Sequence, residues 1–225
     1  MKKLLALTLV FVMLFTLVAC GNANTPEDTS NPTDTSTPEG TSNPADTSTS
    51  ETPVVLPYTN AAELLQIVFD KYNAAQPTDD TMLWVCGGNV NNFDTCNPEG
   101  PAAFIPVDNE DYNANLGIPV AEADKIASAA SMFNMMNANT FNCFSVQLND
   151  GVDADAFIAT LKDNILARQW ICGSPDKLVI AKAPGNYIIA VWGVVDFGGL
   201  VDPVAESFST NIEGAQIVVE ENIAR

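Results

Sequence analysis

The sequence predicts an α+β domain, with a mostly antiparallel sheet and helices packed on one face, preceded by a disordered linker. Apolar residues recur at helical spacing in several segments of the second half of the chain. Two apolar runs, Lys177 to Ala183 and Tyr187 to Val195, flank the hairpin signal Pro184-Gly185-Asn186. A strand, a helix, a hairpin and a helix in this order are typical of helices on one face of an antiparallel sheet.

The first segment, residues 1–19, is predicted to be a lipoprotein signal peptide. Lys2-Lys3 precede a 15-residue apolar run, Leu4–Val18, which is shorter than the roughly 20 residues that span a bilayer. At its end, Leu17-Val18-Ala19-Cys20 resembles the lipobox of bacterial lipoprotein precursors. The alternative is an ordinary secretory signal in which Cys20 is incidental.

A diacylglyceryl lipid on Cys20 is the one covalent group that the sequence implies, and no other cofactor is expected. Each buried CH₂ contributes about 0.8 kcal/mol, so two acyl chains anchor a protein stably where one does not. We therefore expect the lipid bilayer as a partner and an extracytoplasmic location on the outer face of the cell membrane.

Residues 20–57 are predicted to be a disordered tether. Thr25–Ser36 recurs as Thr37–Ser48, with ten of twelve positions identical, and the composition is dominated by Thr, Ser, Pro and acidic residues. Low hydrophobicity and net negative charge prevent such a segment from collapsing onto itself. It is expected to hold the domain away from the bilayer.

Residues 58–225 are predicted to form a single domain. A capping box at Asn60–Glu63 begins a helix that reaches about Ala75. The other expected elements follow in chain order: a strand at 81–86, irregular structure to 116 with a strand at 103–107, a helix at 121–136, a strand at 141–148, a helix from Asp153 or Asp155 to Trp170, the hairpin, a helix at 200–209 and a strand at 216–220.

Charge and composition exclude several functions. The formal charge of −19 becomes −21 once the two lysines of the signal are removed, and the predicted domain retains about −15. Such a surface repels nucleic acid, so no nucleic-acid partner is expected; it either solubilises the domain or attracts a basic partner. The chain has no histidine, which excludes Ser-His-Asp and Cys-His catalysis and His-ligated zinc.

A resemblance to a known protein family extends from Leu116 to about Ser209. We take residues 116–210 as the family-like core of the domain. The residues that carry the resemblance are Leu116-Gly117-Ile118, Met135-Met136-Asn137-Ala138, Phe144-Ser145-Val146, Ala167-Arg168-Gln169 and Gly185-Asn186-Tyr187. In order and spacing they resemble a family of small lipoproteins of Gram-positive, clostridia-like bacteria that carry a domain of unknown function. The resemblance implies an extracytoplasmic α+β lipoprotein and no activity. Asn139-Thr140 stands where that family has an acidic pair.

A calcium-loop candidate precedes the predicted helix at 121–136. Asp111, Asn113, Asn115 and Glu122 occupy positions one, three, five and twelve of such a loop, which gathers oxygen ligands. Leu116 stands where the loop needs glycine, so an Asn-rich loop that leads into a helix is the alternative.

Four cysteines follow Cys20, and they are candidates for disulfides in an exported protein: Cys86, Cys96, Cys143 and Cys172. Cys86 with Cys96, and Cys143 with Cys172, is one pairing. Buried free thiols are the alternative, and without C-x-x-C pairs a zinc site is not expected.

Two further groups bear on function. Trp84, Trp170 and Trp192 form a sugar-stacking surface if they meet, although Trp84 and Trp192 lie in apolar runs and are expected in the core. Carboxylates such as Asp196 and Asp202 are candidates for a glycosidase-like pair.

The sequence thus favours a non-enzymatic binding or interaction module held on the membrane surface, with no catalytic residues assigned and with an envelope protein or a small ligand as its partner. The alternatives are a cell-envelope hydrolase that uses a carboxylate pair and a purely structural envelope component. A binding module predicts an apolar pocket or an exposed apolar patch. A hydrolase predicts a cleft with two carboxylates about 5–10 Å apart.

Overall fold

The computed structural model describes residues 55–78, 82–136, 140–170, 173–195 and 199–223. The predicted signal peptide and Cys20 lie outside these ranges, as do the tether up to residue 54, Cys172 and Asp196. Within the described ranges, the helices are α1 (Ala61–Ala74), α2 (Glu110–Leu116), α3 (Ala154–Ala167) and α4 (Val201–Asn211), with 3₁₀ turns at Phe93–Thr95 and Val120–Lys125. The strands are β1 (Cys86–Gly87), β2 (Ala102–Ala103), β3 (Ile126–Phe133), β4 (Asn142–Leu148), β5 (Lys177–Ala183), β6 (Tyr187–Gly193) and β7 (Gln216–Asn222).

The strands form one seven-stranded sheet in the order β1-β3-β4-β6-β5-β7, and β2 also pairs with β3. Every named strand pair is antiparallel. The β5–β6 hairpin turns through Gly185 and Asn186, whose φ angles of 84° and 63° lie in the left-handed region that Gly and Asn tolerate best. The predicted α+β class and the predicted hairpin are therefore confirmed.

Helices cover both faces of this sheet rather than the single face expected from the sequence. Successive strand residues point to opposite faces. Val179, Ile189 and Val191 pack in one core cluster with α1 and α4, whereas Ile180 and Ile188 pack in a second cluster with α3. Burial on both faces is the reason that β5 and β6 read as continuous apolar runs instead of alternating ones.

Side-chain caps fix where two helices begin. The Asn60 side chain accepts a hydrogen bond from the Glu63 amide at 3.0 Å, and Glu63 Oε2 accepts in return from the Thr59 amide at 2.7 Å. Asp153 accepts from the amides of Asp155 and Ala156 at the start of α3. These caps satisfy amides that would otherwise lack a partner. The helix at Asn60 and the cap at Asp153 are thus confirmed.

The prediction of a helix over residues 121–136 is wrong. Residues 120–125 form a 3₁₀ turn and Ile126–Phe133 form β3, which pairs with β1, β2 and β4. Small residues are needed here because α1 lies close against this part of the sheet. Ser128 Oγ accepts from the Ala61 amide at 3.1 Å, and Ser145 Oγ on β4 donates to the Ala61 carbonyl at 2.6 Å. Strand pairing and close packing override the helical preference of an Ala- and Met-rich segment.

The segment between α1 and β3 also differs from the expectation. The strand expected at 81–86 is reduced to β1, and the one at 103–107 to β2. The stretch expected to be irregular contains α2, which ends at Gly117 with a φ of 65°. A Cβ atom at Gly117 would lie 2.7 Å from Ile165 Cγ1, so glycine allows the end of α2 to pack directly on α3.

Candidate functional site

Two adjoining hollows lie at the end of the sheet where β1 and β2 meet β3. The first, which we call the cavity, has a volume of about 390 Å³. Its walls come from the end of α2, from β3 and β4, and from the segment that follows α3. They include Phe133, Thr140, Asn142, Arg168, Trp170 and Trp192.

Three polar side-chain atoms of the cavity residues are buried without a hydrogen-bond partner in the described part of the chain. They are Thr140 Oγ1, Asn142 Oδ1 and Trp170 Nε1. The orientation of the Asn142 amide is set by its other end, because Nδ2 donates to the Asn115 carbonyl at 2.9 Å and leaves Oδ1 as an acceptor. A buried polar atom without a partner destabilises a protein by about 1–3 kcal/mol, so three beside one cavity are unusual.

Arg168 is the single charged residue among the described residues that line the cavity. Its guanidinium donates to the Ala114 carbonyl at 2.7 Å and to the Asn113 carbonyl at 3.4 Å. These carbonyls lie in the last turn of α2, where a cation is stabilising. The guanidinium carbon also lies 4.8 Å from the Trp170 ring centroid. Burial lowers the pKa of Arg168 below its usual value.

The tryptophans do not all meet. Trp170 and Trp192 lie together in the cavity wall with ring centroids 6.0 Å apart. Trp192 is buried as expected, but Trp84 is 73% exposed, so its expected place in the core is wrong. The neighbours of Trp84 in sequence, Leu83 and Val85, are buried. Successive side chains of an extended backbone point to opposite sides, so the Trp84 side chain points outward while its two neighbours point inward.

The second hollow, which we call the groove, is apolar. It consists of two connected parts of about 510 Å³ and 740 Å³ that share Cys86, Pro98, Asn134 and Met135. Large apolar side chains line it while remaining exposed: Trp84 at 73%, Phe93 at 72%, Met135 at 66% and Met136 at 68%.

The cavity and the groove are continuous. Val90, Phe133 and Asn134 line both the cavity and the nearer part of the groove. The polarity changes along this path, because Asn115, Arg168 and Gln169 line the cavity whereas the groove is lined mainly by apolar side chains. A single elongated ligand is therefore able to contact both hollows.

A buried carboxylate fixes the loop that supplies Val90 and Phe93. Asp111 is 5% exposed, and Oδ2 accepts from Asn89 Nδ2 and from the Val107 amide, both at 2.7 Å. Oδ1 accepts from Asn91 Nδ2. Burial by itself would raise the pKa of Asp111, but the hydrogen bonds from Asn91, Val107 and Asn89 lower it below its usual value.

The calcium-loop candidate is not supported by this geometry. Asp111, Asn113 and Asn115 lie on α2, whereas Glu122 lies in the following 3₁₀ turn and pairs with Lys125 at 2.8 Å. Asn113 Oδ1 accepts from Asn164 Nδ2 at 2.9 Å. The described residues contain no group of three or more His, Cys, Asp or Glu side chains placed to hold a metal ion.

The described cysteines are free thiols. Cys86 and Cys96 line the groove on either side of the Gly87–Asn97 bridge, and the two thiols donate to different carbonyls, those of Pro98 and Asn89. Burial, and secondly the neighbouring Cys86, raises the pKa of Cys96. Cys143 is buried in β4, where burial raises its pKa well above the usual value, and its candidate partner Cys172 lies outside the described residues. Cys86 and Cys96 are therefore not bonded to each other in the structure, whereas the pairing of Cys143 with Cys172 stays a prediction.

Two carboxylates meet a lysine at a third hollow, which lies between α4 and strands β5 and β7. Lys177 Nζ lies 2.6 Å from both Asp202 Oδ1 and Glu220 Oε1. The hydrogen bonds from Lys177 to Asp202, and then to Glu220, raise the pKa of Lys177. Asp202 is therefore bound to a lysine, and Asp196, with which it was considered as a hydrolytic pair, lies outside the described residues.

Comparison of the chain with protein-family models, with curated proteins and with solved structures finds no match. The resemblance to small clostridia-like lipoproteins thus stays a prediction. Within the part of the chain that the structure describes, no helix is long and apolar enough to span a membrane.

The sequence analysis named the three tryptophans and the two cysteines of the site, and Asn115 as a calcium ligand, but proposed no role for its other residues. The Met135-Met136 pair, used there only for the resemblance, is the one further signal of an adaptable apolar surface. Thr140 and Asn142 flank the start of β4 and carry no pattern that distinguishes them from ordinary strand-end polar residues.

Proposed function

We propose that this protein is a non-enzymatic, lipid-anchored binding protein of the outer face of the cell membrane, and that its groove holds the apolar part of a small ligand. The observation that carries the proposal is the groove itself, where four large apolar side chains, each at least 66% exposed, line a concave surface. Exposed apolar residues scattered singly are ordinary, but a contiguous set marks a binding surface.

The size and chemistry of the groove favour a small ligand over a protein partner. Each part of the groove falls in the range of about 300–1,000 Å³ that is typical of small-molecule sites. Methionine side chains adapt to ligands of irregular shape, and Met135 and Met136 lie at the rim. Among the described residues that line the groove, Glu99 alone carries a charge, so an uncharged alkyl or aryl group is the occupant that fits.

Anchoring is tested independently of binding. The lipobox at Leu17–Cys20 and the two-chain requirement for stable anchoring support attachment at Cys20. In cells fed radioactive fatty acid, the wild type should be labelled and membrane-bound, and Cys20→Ser should be unlabelled and released. Labelling that persists in the variant contradicts the anchor and leaves the groove proposal standing.

Binding is tested with the mature chain carrying Cys20→Ser, so that the protein is soluble. The neutral fluorescent probe N-phenyl-1-naphthylamine should bind and brighten, and it should shift the emission of Trp84, which lines the groove. Phe93→Ser and Met135→Ser together should weaken binding at least about tenfold, because burying one large apolar side chain contributes about 1.5–3 kcal/mol.

The matched control is Val107→Ser, since Val107 is 67% exposed but does not line the groove. It should leave the affinity unchanged. If the probe does not bind, or if the control weakens binding as much as the double variant does, the groove proposal is wrong.

A further inference from the structure

We propose that Cys86, Cys96 and Met135 bind a soft monovalent metal ion, cuprous copper, in the nearer part of the groove. All three side chains line that part, the two thiols half-buried and Met135 exposed. Thiolate and thioether sulfur are ligands that select Cu(I). The proposal goes beyond the apolar ligand, because it concerns the sulfur atoms of the groove and not its apolar surface.

Sulfur is concentrated in the groove. The described part of the chain contains seven sulfur-bearing side chains, three of cysteine and four of methionine. Met132 and Cys143 are fully buried in β3 and β4. The other five line the groove: Met82, Cys86, Cys96, Met135 and Met136. An apolar surface is built equally well from Leu, Ile or Phe, so this concentration indicates a ligand that binds sulfur itself.

The backbone places the two thiols side by side but too far apart for a disulfide. Cys86 and Cys96 each precede one residue of the Gly87–Asn97 bridge, whose two backbone hydrogen bonds measure 2.8 Å and 3.0 Å. Side chains that precede the two residues of an antiparallel bridge lie on one face as diagonal neighbours, about 7–8 Å apart. A disulfide requires Cα atoms within about 7 Å and sulfur atoms about 2 Å apart. Two metal–thiolate bonds of about 2.3 Å each join sulfur atoms up to about 4.6 Å apart, so a metal ion fits the wider spacing.

Met135 lies beside this pair as a third sulfur ligand. Phe133, the last residue of β3, pairs with Cys86, and Met135 follows two residues later. The Met135 side chain is 66% exposed and has three rotatable bonds, so it is able to turn its sulfur toward the thiols. The three residues together offer two thiolates and one thioether to a single ion.

Other common metal ions fit these ligands poorly. Zn²⁺ takes four protein ligands in almost all structural sites, and the chain has no histidine to complete such a set. Ca²⁺ and Mg²⁺ require oxygen ligands. Among the described side chains of the nearer part, Asn134 alone has an oxygen, and that oxygen already accepts from the Met136 amide at 2.8 Å. A soft ion that needs few ligands is the one that fits.

The thiols give up little when they bind the ion. Cys86 Sγ donates to the Pro98 carbonyl at 3.6 Å and Cys96 Sγ to the Asn89 carbonyl at 3.2 Å, and thiols are weak donors. On binding, each S–H bond breaks, its proton passes to solvent and a sulfur–copper bond forms, with no change in the oxidation state of copper or sulfur. The net negative charge of the chain favours the approach of a cation.

The test is a competition for Cu(I) between bicinchoninate, whose copper complex is coloured, and the mature chain with Cys20→Ser, reduced and kept free of oxygen. This parent chain should remove one ion per molecule from the chelator. Cys86→Ser and Cys96→Ser should each weaken Cu(I) binding at least about 100-fold, because loss of even an outer-shell partner weakens metal affinity about 10–100-fold. Met135→Leu should weaken it by a smaller factor, since a thioether is an uncharged ligand.

Two variants are matched controls. Cys143→Ala and Met132→Leu each remove one sulfur atom from a buried position outside the groove, so neither should change the Cu(I) affinity. The melting temperature is a second readout. Cu(I) should raise it for the parent chain but not for the chain with both Cys86→Ser and Cys96→Ser, because a ligand that binds only the folded state stabilises that state.

Several results would overturn the inference. It is wrong if the parent chain leaves Cu(I) on bicinchoninate, if both cysteine variants keep the parent affinity, or if Cys143→Ala weakens binding as much as they do. It is also wrong if Zn²⁺ binds the parent chain more tightly than Cu(I), a comparison that needs no variant to fold, or if protein isolated from cells contains a Cys86–Cys96 disulfide. The groove proposal stands in each case, since N-phenyl-1-naphthylamine binding is measured without metal.

Discussion

The buried Asp111 carboxylate offers a direct test of how the loop at the site is held. Asp111→Asn keeps the shape of the side chain and removes its charge. The carboxylate accepts hydrogen bonds from Asn89, Asn91 and the Val107 amide. An amide in its place accepts at one end only, because the other end becomes a donor that faces a donor.

The expected loss follows from the number and type of these bonds. A hydrogen bond to a charged group contributes about 1.5–3 kcal/mol, and a neutral one about 0.5–1.5 kcal/mol. Two of the three bonds become neutral, at a loss of about 1 kcal/mol each, and the third is lost, at about 2 kcal/mol, so the free energy of unfolding falls by about 4 kcal/mol. A half-turn of the Asn91 amide recovers one neutral bond, so about 3 kcal/mol is the lower bound of the expectation.

The stability difference between the wild type and Asp111→Asn should depend on pH in one definite direction. The folded-state pKa of Asp111 lies below its usual value. Its contribution is thus fully present above the unfolded pKa of about 3.9 and is lost as the pH falls through the folded pKa. Urea unfolding at pH 7, 5, 4 and 3 should show the gap between the wild type and Asp111→Asn narrow toward low pH. Comparing the two proteins at each pH cancels the other carboxylates.

Asp108→Asn is the control. Asp108 is exposed, and its side chain accepts from the Glu110 amide at 2.9 Å, a role that Asn fills equally well. It should change stability by no more than about 0.5 kcal/mol. A gap for Asp111→Asn below about 1 kcal/mol at pH 7, or one that is constant or widens down to pH 3, refutes the argument.

Three further substitutions are expected to shift the urea midpoint without changing the slope. Tyr187→Phe should stabilise by up to about 1 kcal/mol because it removes a buried hydroxyl without a described partner, and a loss above that amount reveals a partner. Gly117→Ala should destabilise by at least about 2 kcal/mol, since φ is 65° and the new Cβ would lie 2.7 Å from Ile165 Cγ1; a neutral result means that α2 and α3 separate easily. Asp153→Ala should cost about 1 kcal/mol through the lost cap of α3, and restoration by Asp153→Ser checks the cause.

Short sequence patterns correctly predicted the elements whose local preference agrees with their tertiary environment. The cap at Asn60, the cap at Asp153 and the turn at Gly185-Asn186 each act through neighbouring residues, and the structure confirms all three. The presence of helices on both faces was not predicted. The continuous apolar character of β5 and β6 was taken only as a sign of strands, although it also indicates that both faces of those strands are buried.

Segment 121–136 was misread for a physical reason. Ile126, Ala130 and Phe133 stand at helical spacing, and Ala and Met favour helices. In the sheet, however, β3 is bordered by β4 on one side and by β1 and β2 on the other, and its small side chains admit α1. That requirement involves residues more than 60 positions apart, which a local pattern does not record.

The site escaped prediction for the same reason. Its two hollows draw on residues from Phe69 to Trp192, and no two of the three polar atoms without partners belong to one recognisable motif. Trp84 was assigned to the core because its neighbours are apolar. Its exposure depends on where the sheet ends, since β1 is only two residues long and leaves that side chain beyond the covered area.

The position of the site follows from the way in which the sheet is covered. At the centre, β4, β6 and β5 have helices on both faces and little room for a ligand. At the β3 edge, two-residue strands and the loop held by Asp111 replace full strands, so side chains such as Phe93 and Met135 have no layer above them. The same edge contains three of the four buried polar atoms without partners among the described residues. Each of the three destabilises the domain by about 1–3 kcal/mol. Thr140→Val removes a buried hydroxyl without a described partner and should therefore stabilise the domain, as Tyr187→Phe should outside the cavity.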